Sequence, residues 1–181
     1  MRSEVKAMKF SSRIVLGTAF SLAVLGAPVR AEQDDSAKIV AIVQTFFDAM
    51  ARRDPAMALK VVLPEGRFSS VREEGGKRVI RSFSNQEDIG KWAERTDTYL
   101  ERMWNPEVRL HGHMAVVTAP YDFYLNGTFS HCGIDVFELL ETADGWRISG
   151  GVYTAQKDAC PPSPLGPPKF DTAPAAQKPG A

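Results

Sequence analysis

Apolar residues early in the chain recur three and four positions apart, the spacing that places them on one face of a helix. The buried face predicted for this first helix consists of Ile39, Ile42, Val43, Phe46, Phe47 and Met50. Asp35 or Ser36 is expected to cap its N-terminus. Asp54 and Pro55 predict a second, short helix, because Asp54 can accept hydrogen bonds from unpaired backbone N–H groups and proline suits a first helical turn.

A hairpin and a third helix are predicted for the next segment. Arg67 to Ser84 contains two short strands around Gly75 and Gly76, a pair typical of a turn. The arginines of this hairpin are expected on a solvated face, although one of them could reach an anionic ligand. Ser84 and Glu87 have the spacing of a capping box, which predicts the start of the third helix. The stripe predicted to be buried on that helix is Ile89, Trp92, Thr96, Tyr99, Leu100 and Met103.

Residues 107 to about 155 show the pattern of strands joined by short turns. Asn126-Gly127 and Asp144-Gly145 are the turn signals, since these residue pairs favour the positive φ angles of tight hairpins. Strands segregated from helices predict an α+β domain. In it, three N-terminal helices pack on one face of a curved, mostly antiparallel sheet.

A two-residue turn at Asn126-Gly127 determines which strand residues lie opposite each other. It places Asp122 opposite His131, with about 4.5–5.5 Å between Cβ atoms, which is within reach of a side-chain hydrogen bond. The face predicted to line the interior consists of Val116, Phe137, Leu139, Trp146, Ile148 and Val152, with Asp122, Tyr124, His131 and Asp135 at its polar end. The face predicted to meet water or a second subunit consists of Tyr121, Phe123, Cys132, Ile134, Val136, Glu138, Arg147, Ser149 and Tyr153. A one-residue slip in the pairing would exchange the two faces.

Both ends of the chain are expected to lie outside the folded domain. Met1 to Ala31 has a basic start, an apolar run at Ile14–Leu25 and small residues suited to cleavage, the layout of a secretory signal. An uncleaved membrane anchor is the alternative, although the run is shorter than the roughly 20 residues that span a bilayer. Residues 161–181 contain seven of the twelve prolines and are expected to be a disordered tail. Residues 32–160 remain as one domain.

The charge balance limits the classes of partner. The chain is formally neutral, and removal of residues 1–31 leaves 17 basic against 21 acidic residues, a net charge of −4. A mildly acidic domain without a basic stripe argues against nucleic acid as a partner. No membrane contact is expected after removal of the signal, and the expected location is the periplasm or the exterior of the cell.

The cysteines and histidines suggest one covalent link and no metal site. Cys132 and Cys160 lie in the part expected to be exported, where disulfides persist, so a Cys132–Cys160 disulfide is predicted. The alternative is a buried Cys132 and a free thiol at Cys160. His111 and His113 would share one face of a strand, but no third ligand follows at a diagnostic spacing. No cofactor fingerprint is present in the sequence, and no cofactor is expected.

Two stretches resemble a known superfamily. FFDAMARRDPAMALKVVLPEGRFSS (residues 46–70) and HCGIDVFELLETADGWRISGGVYT (residues 131–154), with the hairpin and third helix between them, resemble the nuclear transport factor 2-like superfamily. More narrowly, they are similar to its small exported bacterial members, grouped with SnoaL-like and ketosteroid-isomerase-like domains. The resemblance covers about residues 37–160. It implies a cone-shaped α+β barrel with one internal pocket, often in a homodimer, but no single activity.

Three functions are compatible with this pattern. The leading hypothesis is a binding protein for a small, partly apolar molecule. The residues expected to contact that molecule are Trp92, Tyr99, Tyr124, Asp135 and Phe137. The second is an isomerase, cyclase or dehydratase in which Asp122 and His131 perform acid–base catalysis without a cofactor. The third is a dimeric interaction module with a filled cavity, which would associate through Tyr121, Phe123 and Tyr153.

Overall fold

The computed structural model describes residues 27–170, and side chains from Asp35 onward. The helices are α1 (Ala27–Arg52), α2 (Pro55–Ala58) and α3 (Asn85–Gly90), followed by a 3-10 turn (Trp92–Glu94). The strands are β1 (Val62–Glu74), β2 (Lys77–Ser84), β3 (Tyr99–Met103), β4 (Glu107–His111), β5 (Met114–Leu125), β6 (Thr128–Thr142) and β7 (Gly145–Ala155). Most of the predicted signal and residues 171–181 of the predicted tail lie outside the described residues.

The first two helices form where the apolar spacing predicts them. Ile39, Val43 and Phe47 of α1 are buried against the sheet, where α1 contacts β3, β4, β5 and β7. Because α1 begins at Ala27, the cap predicted at Asp35 or Ser36 is wrong. Asp54 caps α2 as predicted, with Oδ1 accepting the Met57 N–H at 2.9 Å.

The predicted third helix is wrong over its second half. Ser84 caps α3 as expected, since its Oγ accepts the Glu87 N–H at 3.2 Å. The helix ends at Gly90, and Tyr99–Met103 is strand β3 instead. Strand β3 pairs with β5, which provides hydrogen-bond partners for its backbone and places alternate residues on the two faces of the sheet.

Seven strands form one sheet in the order β2-β1-β7-β6-β5-β3, with β4 also paired to β5. Only the β1–β7 pair is parallel among the described strands, so the sheet is mostly antiparallel, as predicted. The edge strands β2 and β3 do not pair with each other, and the curved sheet is open rather than a closed barrel. The α+β fold class is confirmed. No helix among residues 27–170 combines the length and the apolar character needed to cross a bilayer.

The Asn126-Gly127 turn is confirmed, but the register predicted from it is wrong. Both residues have positive φ, 51° and 76°, and Tyr124 pairs with Phe129 as expected. The next pair is Phe123 with His131, so Ser130 is an extra residue that forms a β-bulge. Asp122 therefore pairs with Cys132, and its side chain lies on the opposite face from that of His131.

A second register error affects β7. The turn consists of Ala143 and Asp144 instead of Asp144-Gly145, because Thr142 pairs with Gly145. The register then shifts once more at Ser149, whose Oγ donates to the Glu138 carbonyl at 3.1 Å. As a result Tyr153 faces inward beside Asp135.

Two strands, β5 and β7, contain residues on the face opposite to the predicted one. Val152, predicted inside, is 55% exposed. Tyr121, Phe123 and Tyr153, predicted outside, line the interior. His131, Asp135, Phe137, Leu139 and Ile148 face inward as predicted.

The outer face of the sheet contains the predicted disulfide. Cys132 and Cys160 are bonded, with their Cα atoms 5.9 Å apart. The backbone of Cys132 also exchanges two 2.9 Å hydrogen bonds with Gln156. The disulfide attaches the segment after β7 to the sheet, and residues 161–170 form no helix or strand.

We expect the double variant Cys132→Ser, Cys160→Ser to lose about 3–4 kcal/mol of free energy of unfolding, because the bond restricts the unfolded chain over a separation of 28 residues. Urea denaturation followed by circular dichroism measures the loss. Reductant should destabilise the wild type by a similar amount and leave the double variant unchanged. Equal stability of the two oxidised proteins would contradict the expectation.

Candidate functional site

A cavity of about 520 Å³, open to solvent, lies between α1, the β1–β2 hairpin and the inner face of the sheet. Its floor is apolar and consists of Phe46, Phe47, Met50, Phe68, Phe83, Trp92 and Phe137. Its wall contains the polar and ionisable residues Arg72, Tyr99, Glu101, Tyr121, His131, Asp135 and Tyr153. Its rim contains Arg81, Asp88, Arg95 and Asp97.

The aromatic floor is a connected cluster. The Phe46 ring stacks on Phe68 at 5.7 Å between centroids, and Phe137 contacts Phe68 edge-on at 5.6 Å. Trp92 contacts Phe46 at 5.8 Å and donates its indole N–H to Asp88 Oδ2 at 3.0 Å. Trp92 and Phe137 thus form the base of the cavity without filling it, and the predicted filled cavity is not observed.

Two carboxyl groups, Glu101 of β3 and Asp135 of β6, hydrogen-bond to each other in the wall. Burial raises the pKa of Glu101 to about 7, and the charge of Asp122 contributes, while the hydrogen bond from Asp135 opposes the rise. Burial, followed by the charge of Glu101, raises the pKa of Asp135 well above its ordinary value. The pair therefore keeps a proton at neutral pH, because two adjacent buried carboxylates repel each other. Asp135 Oδ2 is buried and receives no hydrogen bond from an N–H or hydroxyl group of the described residues.

Two tyrosines lie beside the carboxyl pair. Burial raises the pKa values of Tyr121 and Tyr153, so both phenols stay protonated at neutral pH. The Tyr121 hydroxyl donates to the Thr154 carbonyl oxygen at 2.8 Å. Gly133 permits this arrangement, because a Cβ atom at that position would lie 1.9 Å from the same Thr154 oxygen.

His131 is a neutral, ring-stacked residue in this site. Its ring stacks on Phe123 at 4.9 Å and contacts Tyr121 edge-on at 5.7 Å. Burial, and then the charges of Arg72 and Lys157, lower the pKa of His131 to about 4. Its Nδ1 lies 3.0 Å from Ser130 Oγ, and no hydrogen bond joins it to a carboxylate of the described residues.

The predicted Asp122–His131 pair does not form. Asp122, 4% exposed, lies on the outer face, where its Oδ1 accepts from Arg102 Nε at 2.9 Å and its Oδ2 from Arg102 Nη2. Tyr124 lies under the Arg102 guanidinium at 5.2 Å and contacts the ring of Phe170. Arg102 Nη1 also donates to the Gly166 carbonyl at 3.0 Å, so this outer cluster attaches the C-terminal segment. Asp122 and Tyr124 have a structural role outside the cavity.

The cavity contains several predicted site residues and four that the sequence did not identify. Trp92, Tyr99, His131, Asp135 and Phe137 line it. Glu101, Arg72, Tyr121 and Tyr153 were missed as site residues. Glu101 lies two residues from both Tyr99 and Met103, so the three side chains share one face of a strand. That spacing was the sequence signal for a carboxyl group facing the interior. Residues 27–170 contain no group of three His, Cys, Asp or Glu side chains with the arrangement of a metal site.

Several solved structures share this arrangement of helices and sheet. A nuclear transport factor 2-like superfamily protein from Salmonella enterica matches with a TM-score of 0.56 at 15% identity, over 71% of this chain and 95% of that one. A nuclear transport factor 2-like protein with a cystatin-like fold from Novosphingobium aromaticivorans gives a TM-score of 0.58 at 14% identity, over 78% and 94%. A third, from Streptomyces avermitilis and provisionally named a dehydratase, gives 0.53 at 17% identity, over 70% and 99%. No protein-family model and no curated protein matches the chain by sequence.

These structures identify the class of protein by its fold. The chain has the nuclear transport factor 2-like fold, which is the fold that the sequence resemblance implies. Identities of 14–17% show the fold alone, so the chemistry of the cavity must come from the residues of this chain.

The carboxyl pair makes stability depend on pH with a definite sign. Because the folded pKa of Asp135 is raised, the stability contributed by its protonated form is complete at acid pH and is lost as the pH rises through the folded pKa. We expect the free energy of unfolding to fall between about pH 5 and about pH 8 by more in the wild type than in Asp135→Asn, because asparagine does not ionise. Urea denaturation across this range measures both proteins.

Glu138→Gln is the matched control for this pH experiment. Glu138 is exposed on the outer face of β6, so Glu138→Gln replaces one carboxyl group by an amide, as Asp135→Asn does, without touching the pair. This variant should follow the wild type. Parallel pH dependence in the wild type and Asp135→Asn would contradict the buried protonated pair.

Proposed function

We propose that the cavity binds a small, partly apolar molecule that directs an oxygen-bearing group at Glu101 and Asp135. The observation that supports this is the combination of an open, aromatic-floored space with a buried carboxyl oxygen, Asp135 Oδ2, that has no partner. A volume of about 520 Å³ is within the range typical of small-molecule sites. A ligand hydroxyl donating to Oδ2 would remove an unsatisfied buried acceptor, whose cost is about 1–3 kcal/mol.

The alternative of a dimeric module loses its structural support. Tyr121, Phe123 and Tyr153, the residues expected to join two subunits, line the cavity instead. A homodimer, which the family resemblance implies, would have to use other residues on the outer face of the sheet. Ligand binding is therefore the function to which the geometry gives most support.

We expect 2-naphthol, a neutral aromatic alcohol, to bind the wild type, and Asp135→Leu to weaken that binding about tenfold by removing the oxygen acceptor. 2-Methylnaphthalene, which lacks the hydroxyl, should bind the wild type and Asp135→Leu equally. Isothermal titration calorimetry measures the alcohol, and competition against it measures the hydrocarbon.

Asp144→Leu is the control for this ligand experiment, because Asp144 lies in the exposed β6–β7 turn. This variant should bind 2-naphthol like the wild type. Failure of 2-naphthol and 2-methylnaphthalene to bind the wild type would contradict the proposed binding function. An unchanged preference for the alcohol in Asp135→Leu would contradict the role of the carboxyl pair.

Acid–base catalysis is the second candidate function, and one observation favours it. Glu101 titrates at about pH 7 beside an Asp135 that stays protonated. In such a pair, Glu101 would take a proton from the carbon next to a carbonyl group. Asp135 would donate a hydrogen bond to the carbonyl oxygen as negative charge develops there.

We expect the wild type to accelerate hydrogen–deuterium exchange at the carbon adjacent to the carbonyl of 2-tetralone, with a rate that rises through about pH 7 as Glu101 ionises. Glu101→Gln should slow this exchange at least about 100-fold, because the general base is lost. Proton NMR in deuterated buffer measures the rate, and thermal melting verifies folding. Glu138→Gln should exchange at the wild-type rate, whereas full activity in Glu101→Gln would contradict the assignment.

Export through a secretory signal belongs to the same proposal. The disulfide is compatible with an oxidising compartment, where such bonds persist. The basic and apolar pattern of Met1–Ala31 supplies the sequence argument for a signal. Together they support a function in the periplasm or outside the cell, where the ligand would be encountered.

A further inference from the structure

We infer that the molecule bound in this cavity carries a carboxylate, and that Arg72 of β1 binds it. This inference rests on the proposed binding function and specifies the chemical class of the ligand. Arg72 lines both the cavity and an adjoining groove of about 840 Å³ between the β1–β2 hairpin and the ends of β6 and β7. A ligand in either space therefore meets the same guanidinium group.

Arg72 is placed beside the row of polar residues that crosses the inner face. Ser70 of β1 pairs with Tyr153 of β7, and Tyr153 pairs with Asp135 of β6. Arg72 follows Ser70 by two residues on the same strand, so it lies on the same face and one step along the sheet. Its charge influences His131, Tyr121 and Tyr153, which shows how close it lies to the cavity wall.

The guanidinium of Arg72, a partly exposed side chain, has few partners in the described part of the chain. Its Nε is buried and meets no hydrogen-bond partner there, and its Nη2 makes only a long 3.4 Å hydrogen bond to Ser70 Oγ. It forms no ion pair with any of the described residues. An arginine remains charged at all relevant pH values, so this unpaired group favours an anion.

Some of the other arginines have carboxylate partners. Arg81 pairs with Glu74 at 2.8 Å, Arg95 pairs with Asp88 at 2.7 Å, and Arg102 pairs with Asp122. Arg72 differs from them because the carboxyl groups of the cavity wall, Glu101 and Asp135, contact each other instead. The side of the cavity occupied by Arg72 is therefore left with a positive charge.

The geometry favours a carboxylate over other anions. The planar guanidinium presents N–H donors in pairs, and such a pair binds the two oxygens of a carboxylate in parallel. A single arginine matches a single negative charge. The neighbouring wall offers uncharged groups at neutral pH, among them His131 and the mutually hydrogen-bonded Ser70 and Tyr153 hydroxyls. Lys157 contributes additional positive charge at the groove, where Glu73 and Asp158 also lie.

Four naphthalene derivatives test the inference with the full chain: 2-naphthoate, 2-naphthamide, 2-naphthol and 2-naphthyl phosphate. We expect 2-naphthoate to bind the wild type roughly 10- to 100-fold more tightly than 2-naphthamide, because only the carboxylate forms charged hydrogen bonds with the guanidinium. Arg72→Gln should abolish that preference. Arg109→Gln, which removes an exposed arginine of β4, should keep the preference. Calorimetry at about pH 7.5 measures all of these affinities, a pH at which the acid is ionised.

A measurement on the wild type tests the inference even if a variant does not fold. The side-chain Nε–H resonance of Arg72 in a nitrogen-15 NMR spectrum should shift with 2-naphthoate and stay in place with 2-naphthamide. Arg72→Lys, which keeps the charge but loses the planar pair of donors, assigns the resonance and should reduce the preference.

The outcomes separate this inference from the proposed function. Binding of 2-naphthol and 2-naphthamide without any preference for 2-naphthoate would overturn the inference and leave the binding function intact. A preference that survives in Arg72→Gln would also overturn it, as would tighter binding of 2-naphthyl phosphate than of 2-naphthoate. Failure of all the naphthalene probes to bind would overturn the binding function and the inference together.

Discussion

The composition of the cavity depends on one extra residue in β6. Ser130 shifts the pairing between β5 and β6 by one position, and side chains alternate between faces at every residue. Without the shift, Asp122 and His131 would share a face, and Tyr121 would point away from the cavity. With it, the wall becomes aromatic and the Asp122 carboxylate lies outside. The bulge therefore determines which side chains face the cavity and which face supports the C-terminal segment.

Acidic residues on the two faces of the sheet have different kinds of partner. Outside, Asp122 is fully paired with the Arg102 guanidinium, and that cluster also contacts the segment beyond the disulfide. Inside, Glu101 and Asp135 have only each other, and burial keeps a proton on the pair. The outer carboxylate strengthens the fold, because a satisfied ion pair fixes its neighbours. The inner pair is incompletely satisfied, a property more typical of sites that bind or transform a ligand.

The sequence identified the elements better than it identified the faces. Caps at Asp54 and Ser84, the Asn126-Gly127 turn and the buried stripe of α1 follow from local chemistry and were predictable. The bulge at Ser130 depends on pairing with a distant strand, and no local residue preference indicates it. Glu101 was missed for a related reason, since Tyr99 and Met103 fit helical spacing as well as strand spacing until β5 pairs with them.

The wall of the cavity contains polar groups that the apolar floor lacks. Glu101 and Asp135 offer a shared proton and an unpaired acceptor oxygen, whereas Arg72 offers an unpaired cation. An apolar molecule would fill the aromatic floor but leave both groups unsatisfied. A molecule with a hydroxyl group and a carboxylate would satisfy both, because the hydroxyl can donate to the acceptor oxygen and the carboxylate can pair with the cation. A ligand that lacks either group would leave a buried polar group unpaired, at a cost to its binding. For the proposed ligand, selectivity would therefore come from the two unsatisfied groups, and the aromatic floor would add affinity without discrimination.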